Sequence, residues 1–223
     1  MSINTKKYQE IITELNGTAT LIAVSKTKPI ADILELYKLG QRDFGENYIQ
    51  ELVGKYEQLS KDIRWHYIGH LQSNKVKYIA PFVHLIHGVD SLSLLKDINK
   101  QALKNNCIID CLLQIYIAKE ETKFGLDSYE LDTILTSDLS ELKNIRICGL
   151  MGMASFSNNI DLVRSEFNYL KSLFDKYAPL KTQNLKLQTL SMGMSADYQI
   201  AIEEGSHMIR IGSLLFGERN LNK

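Results

Sequence analysis

Short β-branched runs alternate with longer amphipathic segments along nearly the whole chain. A first amphipathic segment predicts a helix over residues 3–16, and eight strand-like runs follow it, with a helical pattern between each run and the next. The predicted strands cover residues 20–25, 42–44, 64–69, 84–89, 108–117, 145–153, 186–193 and the first half of 207–217. The predicted helices between them cover residues 30–40, 48–60, 73–80, 91–105, 128–136, 159–177 and 196–204.

Eight strands that are each reached through a helix are typical of a closed parallel barrel. The rival architecture is an open doubly wound sheet, which normally carries a glycine-rich phosphate loop after its first strand. The sequence there is SKTKP, residues 25–29, and it contains no glycine. Because no linker or composition shift marks a second domain, we predict one α/β domain over residues 1–223, a (β/α)₈ TIM barrel with an extra N-terminal helix.

Composition narrows the functional classes. The 223 residues include 26 Lys plus Arg and 26 Asp plus Glu, so the formal net charge is zero. A neutral charge balance does not indicate nucleic acid or a membrane surface as the main partner. The first residues lack the apolar run of a signal peptide, and no segment approaches the roughly 20 apolar residues of a membrane span. Three cysteines do not make a disulfide framework, so we expect a cytoplasmic protein.

Functional residues of such barrels lie where the strands end at their carboxyl side. Lys26 directly follows the first predicted strand. An amine at that position is partly desolvated, which lowers its pKa and suits it to form a Schiff base. A solvated loop lysine is the more ordinary interpretation of a single Lys-Thr-Lys stretch, and we expect Lys28 to be such a surface residue.

The last two strands end in turns that suit an anion. RIGS (210–213) ends the eighth predicted strand. Gly212 there lets backbone amides approach a ligand, and Ser213 adds a hydroxyl. SMGMS ends the seventh run and supplies the hydroxyls of Ser191 and Ser195 just before a helix, although Ser195 could also be only the N-cap of that helix. Together with a lysine at another strand end, these turns predict a phosphorylated carbonyl ligand.

Other polar residues follow the second and third strands. Asn47 or His66 could hydrogen-bond the ring of a ligand. Alternatively, Asn47 caps the next helix and His66 is an inward-facing histidine satisfied within the barrel. Gln72 and Asn74 lie near the same end, and Lys75 is expected to be a surface charge.

Two histidines and two cysteines lie close together in the sequence, but neither pair predicts a metal site. His84 and His87 are three apart on a predicted strand, and this odd spacing should point them to opposite faces. Cys107 lies four residues before Cys111, but Cys111 and Cys148 fall in strand interiors, where a thiol ordinarily packs in the core. We therefore expect no bound metal.

Six strings, in order along nearly the whole chain, resemble the YggS/PROSC-type pyridoxal phosphate homeostasis proteins. They are AVSKTKP (23–29), FGENYIQE (44–51), WHYIGHLQSNK (65–75), GLMGM (149–153), SMGMSAD (191–197) and RIGSLLFGERN (210–220). The resemblance implies a barrel of pyridoxal 5′-phosphate (PLP) fold-type III, similar to the N-terminal domain of alanine racemase. From the length of the chain we expect no C-terminal β-domain.

The resemblance also implies roles for individual residues. It implies that Lys26 carries PLP as a Schiff base and that Arg210 faces the pyridine nitrogen. The phosphate would then be held by Gly212 and Ser213, with Ser191 or Ser195 assisting. Ser213 stands where many relatives have threonine, and the hydroxyl is kept.

The expected role is that of a PLP carrier which maintains the cellular supply of the cofactor without catalytic turnover. A cationic Arg210 opposes protonation of the pyridine nitrogen, and a chain that ends at Lys223 has no room for the β-domain that supplies a second base in racemases. We expect a monomer that contacts apo PLP enzymes transiently. The alternatives are a PLP-dependent racemase or decarboxylase with one base, and a PLP-free Schiff-base aldolase.

Overall fold

A computed structural model describes residues 3–118 and 124–217 of the chain. Its strands are β1 (Thr20–Val24), β2 (Asp43–Glu46), β3 (Arg64–Tyr67), β4 (Leu85–Val89), β5 (Ile109–Ile115), β6 (Ile145–Gly152), β7 (Leu185–Met194) and β8 (Met208–Ile211). The helices are α1 (Thr5–Leu15), α2 (Ile30–Lys38), α3 (Ile49–Gln58), α4 (Val76–Ile79), α5 (Leu92–Lys104), α6 (Ser128–Thr136), α7 (Ile160–Tyr177), α8 (Tyr198–Glu203) and α9 (Ser213–Phe216). The last three residues of the RIGSLLFGERN string lie outside the described residues.

The eight strands form a closed parallel barrel in chain order, with β8 paired to β1. This confirms the predicted TIM barrel, and the open doubly wound sheet is wrong. The second strand runs from Asp43 to Glu46, later than the predicted 42–44. The predicted helix over 73–80 begins as a 3₁₀ turn at Ser73–Lys75 and continues as α4. Sequence analysis did not predict α9, a short helix that directly follows β8.

Local side chains explain where several helices begin. Asp127 accepts a hydrogen bond from the backbone amide of Glu130, and the Glu130 side chain accepts one from the Asp127 amide, which forms a capping box at the start of α6. Ser91 caps α5 and Asn159 caps α7 in the simpler one-sided way. Across the residues that the structure describes, no helix combines the length and apolar character that a membrane span needs.

The core has an outer layer between strands and helices and an inner layer inside the barrel, because successive strand residues face opposite sides. On β2, Phe44 packs against Trp65 in the outer layer with ring centroids 6.0 Å apart, whereas Asp43 faces inward and contacts His66. Part of the interior is an apolar cluster of Leu85, Leu112 and Met151. Another part is a set of touching buried polar side chains, the polar column: Asp43, His66, His87, Ser191 and Arg210.

Candidate functional site at the mouth of the barrel

A cavity of about 550 Å³ opens where the strands end at their carboxyl side. Its volume lies within the range of small-molecule sites. Of the residues that the sequence analysis proposed, it is lined by Lys26, Asn47, Ser195, Arg210, Gly212 and Ser213. These residues come from the ends of β1, β2, β7 and β8, so the barrel brings together groups that are far apart in the sequence.

The backbone on both sides of Lys26 is fixed by its neighbours. The Ser25 amide donates to the carbonyl of Gly45 over 3.0 Å, which continues the pairing of β1 with β2. Thr27 has a left-handed φ of 63°, and its amide donates to Glu51 Oε1 over 2.6 Å. A threonine holds such a conformation only when the surroundings require it. Lys26 therefore leaves β1 at a defined position on the cavity wall.

A buried lysine in α3 anchors the same loop. Lys55 Nζ donates to the carbonyl oxygen of Ser25 at 2.7 Å, to Glu46 Oε1 at 2.7 Å and to Glu51 Oε1 at 2.6 Å. The Ser25 hydroxyl donates to the same Glu46 oxygen over 2.6 Å. Burial raises the pKa of the Glu46 carboxyl, and the Lys55 ammonium opposes that rise. Sequence analysis missed this cluster, although Glu51 and Lys55 have the spacing of an ion pair on one helix face.

Asn47 offers an acceptor that the described residues leave unused. It follows β2 and lines the cavity, and its Oδ1 is buried without a hydrogen-bond partner among the residues that the structure describes. The residue that caps α3 is Tyr48, which makes no side-chain cap bond, so the alternative interpretation of Asn47 as a helix cap is wrong. A buried acceptor without a partner is unfavourable, so a ligand that donates to it would be stabilised.

The chain bends near the end of β7 at Gly193, whose backbone conformation favours glycine. Gly193 has a φ of 94°, and a Cβ atom there would lie 2.6 Å from the Cβ of Ala201. The turn brings Ser195 beside the end of β8, where the Gly212 amide donates to the Ser195 hydroxyl over 3.3 Å. The N-cap of α8 is Asp197, so the alternative that Ser195 merely caps this helix is wrong.

The end of β8 supplies further donors at the same place. Gly212 precedes α9, and Ser213 is the first residue of that helix. The first amides of a helix have no acceptor within it, and phosphate sites of these barrels commonly use the loops after the last two strands together with a short extra helix. With the hydroxyls of Ser195 and Ser213, this part of the cavity is suited to an anion.

Arg210 is a buried cation on the inner wall of the cavity. Its side chain donates from Nη1 to the Ser191 hydroxyl over 2.6 Å and from Nη2 to the Gly152 carbonyl over 2.9 Å. Burial lowers its pKa to about 10, and the charge of Asp197 opposes this fall. The guanidinium therefore remains protonated at neutral pH and acts only as a donor.

Two of the predicted binding residues do not reach the cavity. Ser191 and His66 are fully buried in the barrel interior, and neither belongs to the cavity lining. Ser191 contacts Arg210 instead, so it can act on a ligand only through that residue. His66 bonds Asp43 and His87, each over 3.0 Å, which matches the alternative interpretation of an inward-facing, satisfied histidine. The expectation of direct contact with a ligand is corrected for both.

The expectation about Lys28 also changes. Lys28 is not a plain surface residue, because it lines the cavity and its Nζ donates to the carbonyls of Phe216 at 2.7 Å and Gly217 at 3.1 Å. It thereby ties the loop after β1 to the end of α9. Lys75 and Gln72 border a separate cavity of about 360 Å³, and Asn74 is exposed.

His84 and His87 do not face opposite ways as their spacing predicts. Both rings contact His66, with centroids 5.3 Å and 5.2 Å away. Nitrogen or oxygen atoms of Asp43, His66 and His84 lie within 4.8 Å of one another, which is a spacing that a metal ion could use. Asp43 is already bound through both carboxylate oxygens by Arg64, and His66 uses both ring nitrogens. Asp43 and His66 therefore have hydrogen-bond partners within the protein.

The remaining cavity wall is largely apolar, and sequence analysis did not identify it. It includes Val24, Ile68, Met153 and Phe156, and the Phe156 side chain is 87% exposed at the rim. Apolar residues at strand ends look like ordinary core residues in a sequence. GLMGM, which contains Met153, was recognised only as part of a family resemblance.

Comparisons with known proteins give the site a context. The family described as alanine racemase, N-terminal domain, matches residues 3–220. A pyridoxal phosphate homeostasis protein of Aquifex aeolicus is 44% identical over 202 residues, which are 90% of this chain and 87% of that protein. Another, from Synechocystis sp., is 42% identical over 214 residues, 95% of this chain and 97% of that one. The structure of PipY from Synechococcus elongatus with PLP bound is 34% identical, with a TM-score of 0.87 over 95% of this chain and 99% of PipY.

Proposed function

The chain belongs to the alanine racemase N-terminal domain family and to its pyridoxal phosphate homeostasis proteins, and from that premise we propose that it binds PLP at the mouth of the barrel as a Schiff base on Lys26. One observation carries the proposal. A single cavity joins a lysine, an unpartnered buried amide oxygen and a turn of hydroxyls and backbone amides. These are the groups that an aldehyde, a polar ring substituent and a phosphate require. Bound PLP supplies that aldehyde and an electron-withdrawing ring.

Each of these protein groups would have a different role at the cofactor. Lys26 would form the covalent tether, in which its amine condenses with the aldehyde and water leaves. Gly212, Ser213 and Ser195 would hold the phosphate, and Asn47 would accept a hydrogen bond near the ring. Lys28, bonded to the end of α9, would keep the phosphate turn beside the loop that carries Lys26.

Arg210 supports a carrier role. A protonated guanidinium beside the pyridine nitrogen lets that nitrogen accept a hydrogen bond and disfavours its protonation, which weakens the ring as an electron sink. Among the described residues, the cavity lining includes no histidine, tyrosine or cysteine, and its second lysine, Lys28, is bonded to the carbonyls of Phe216 and Gly217. We propose that the protein holds and releases PLP in the cytoplasm without catalytic turnover, as a monomer that contacts apo PLP enzymes transiently.

Absorption spectroscopy tests the covalent site. Wild-type protein with PLP should show the visible band of a Schiff base, and borohydride should fix the cofactor on the peptide that contains Lys26. Lys26→Ala should lose both signals. Lys75→Ala is the matched control because it removes a lysine that borders a different cavity, and it should keep the adduct on Lys26. A stoichiometric borohydride-stable adduct in Lys26→Ala would refute the assignment.

Isotope exchange tests the absence of turnover. PLP-loaded protein is incubated with the twenty amino acids in D₂O, and Cα–H exchange and racemisation are followed by NMR. The rates of Cα–H exchange and of racemisation should each stay within a small factor of the rates that free PLP gives in solution. Exchange at ordinary enzymatic rates would replace the carrier with a racemase or decarboxylase that works with one base.

A further inference from the structure

The polar column runs through the barrel interior without a break. From the mouth inward, Arg210 contacts Ser191 at 2.6 Å, Ser191 contacts His87 at 3.0 Å, His87 contacts His66 at 3.0 Å and His66 contacts Asp43 at 3.0 Å. All five side chains are buried. Asp43 in turn binds Arg64 near the amino ends of the strands. The cavity wall is thus connected to the opposite part of the barrel by hydrogen bonds alone.

The two ends of the column determine the direction of every bond within it. A guanidinium has no acceptor and a carboxylate has no proton, so donation must run from Arg210 towards Asp43. Ser191 accepts from Arg210 and donates to His87 Nδ1. The proton of His87 must then be on Nε2, from which it is donated to His66 Nδ1. His66 must likewise carry its proton on Nε2 and donate it to Asp43 Oδ1. Each of these contacts is satisfied when both histidines are neutral.

The environment keeps both histidines neutral. Burial lowers the pKa of His66, although Asp43 opposes the fall, and burial lowers the pKa of His87 still further, with His66, Arg210 and His84 adding to it. The other charged group facing His66 is Arg64, which also disfavours its protonation. The pKa of Asp43 is about 2 and that of Arg210 about 10, so the proton at the mouth stays on Arg210 by many orders of magnitude. At neutral pH the column therefore has a cation at the mouth and a carboxylate at the far end.

We propose that His87 and Ser191 are positioning residues that aim the Arg210 guanidinium at the PLP ring, with Asp43 and His66 fixing the tautomer of His87 from the far side. The inference rests on the proposed PLP site but concerns residues that never touch the cofactor. If His87 had the other tautomer, its Nδ1 would donate, and Ser191 would receive two donors and lose the acceptor for its own proton. Asp43 prevents this reversal by accepting from His66.

NMR of the apo protein tests the column without PLP. In a sample with ¹⁵N-labelled histidines, His66 and His87 should both show the Nε2–H tautomer and should not titrate between pH 6 and 8 (a window of about one unit either side of neutral). Asp43→Asn should alter the His87 signals although the two residues are not in contact. The Nδ1–H tautomer of His87, or ordinary titration of either ring, would overturn the inference.

Release of PLP tests the effect at the mouth. Ser191→Ala and His87→Leu should each speed the release of PLP about fivefold, which corresponds to about 1 kcal/mol for one hydrogen bond, and should shift the visible band. Ser191→Thr, which keeps the hydroxyl, should restore release to within about twofold of wild type. Met151→Leu is the matched control, because it changes a buried interior side chain of the apolar cluster and leaves the column intact.

The outcomes separate this inference from the proposed function. If wild type and His87→Leu, both shown to be folded by circular dichroism, release PLP at equal rates with equal spectra, only the positioning role fails. If wild type binds no PLP, the proposed function fails and the inference fails with it. If Met151→Leu speeds release as much as His87→Leu does, interior packing explains the effect and the positioning role is refuted.

Discussion

The barrel interior has two parts, one apolar and one polar. Leu85, Leu112 and Met151 form an apolar cluster, which stabilises the fold by the area that it removes from water. The polar column lies in the same interior, and its members gain little from burial because they lose hydration as they gain hydrogen bonds. The first part can accept many side chains of similar volume, whereas the second requires particular donors and acceptors in one order. The comparison indicates that one part holds the barrel together and the other arranges its mouth.

Removing a large side chain from the apolar cluster should give the largest loss of stability. Leu112 is fully buried, so Leu112→Ala leaves a cavity. We expect the free energy of unfolding to fall by about 3 kcal/mol, within a range of about 2–5 kcal/mol for such substitutions. Urea denaturation of the apo protein measures it. A loss below about 1 kcal/mol would mean that the interior collapses around the cavity and that the two parts differ less than we infer.

The next largest loss of stability should come from acid, which weakens the polar column. Arg64 and His66 hold the pKa of Asp43 at about 2, below its ordinary 3.8, although burial opposes them. A lowered pKa stabilises the fold above the ordinary value, and this stabilisation is lost as the pH falls towards 2. It amounts to about 2 kcal/mol, lost between about pH 5 and pH 2. Urea denaturation across this range should show a shallower fall for Asp43→Asn than for wild type, and equal slopes would contradict the prediction.

Double-mutant cycles should show that the polar column acts as a unit. Ser191→Ala and Asp43→Asn change two members that are not in contact, yet we expect their effects on the free energy of unfolding to differ from a simple sum by about 0.5–1 kcal/mol. Leu112→Ala combined with Asp43→Asn should be additive within about 0.5 kcal/mol, because these residues share no hydrogen-bond partner. Coupling of the same size in both cycles would remove the distinction between the parts.

Within the apolar cluster, a volume-conserving change should cost less stability than the loss of a large side chain. Met151 is buried beside Leu112, and Met151→Leu keeps its size and apolar character. We expect thermal unfolding to show a loss of less than about 1.5 kcal/mol. A larger loss would mean that the cluster depends on the shape of methionine and not only on its burial.

The sequence alone was enough to predict the barrel and much of its mouth. The alternation of runs reflects strand and helix periodicity, so the eight strands and most helices were located within a few residues. Lys26, Asn47, Ser195, Gly212 and Ser213 were predicted at the mouth because residues at strand ends in such a barrel converge, whereas Arg210 was assigned there through the family resemblance. The short α9 was missed, since LLF in RIGSLLFG has no helical period long enough to detect.

The polar column could not be predicted because it depends on register between strands. His66 and His87 lie 21 positions apart, and His87 and Ser191 lie 104 apart. Spacing within one strand decides which face a side chain takes, but not which residue of a neighbouring strand it meets. For this reason the role of His66 stayed open between a ligand contact and a satisfied interior histidine. His84 and His87 were predicted to face apart, although both rings contact His66.

The bond from Lys28 to the carbonyls of Phe216 and Gly217 has a consequence for how the protein is made. Its partners are 188 and 189 positions away, and β1 pairs directly with β8. Chains emerge from the ribosome N-terminal end first, so the lysine loop is synthesised long before its partners. Contacts of such long sequence separation close late in folding. The proposed PLP site can therefore assemble only after β8 has been synthesised and has paired with β1.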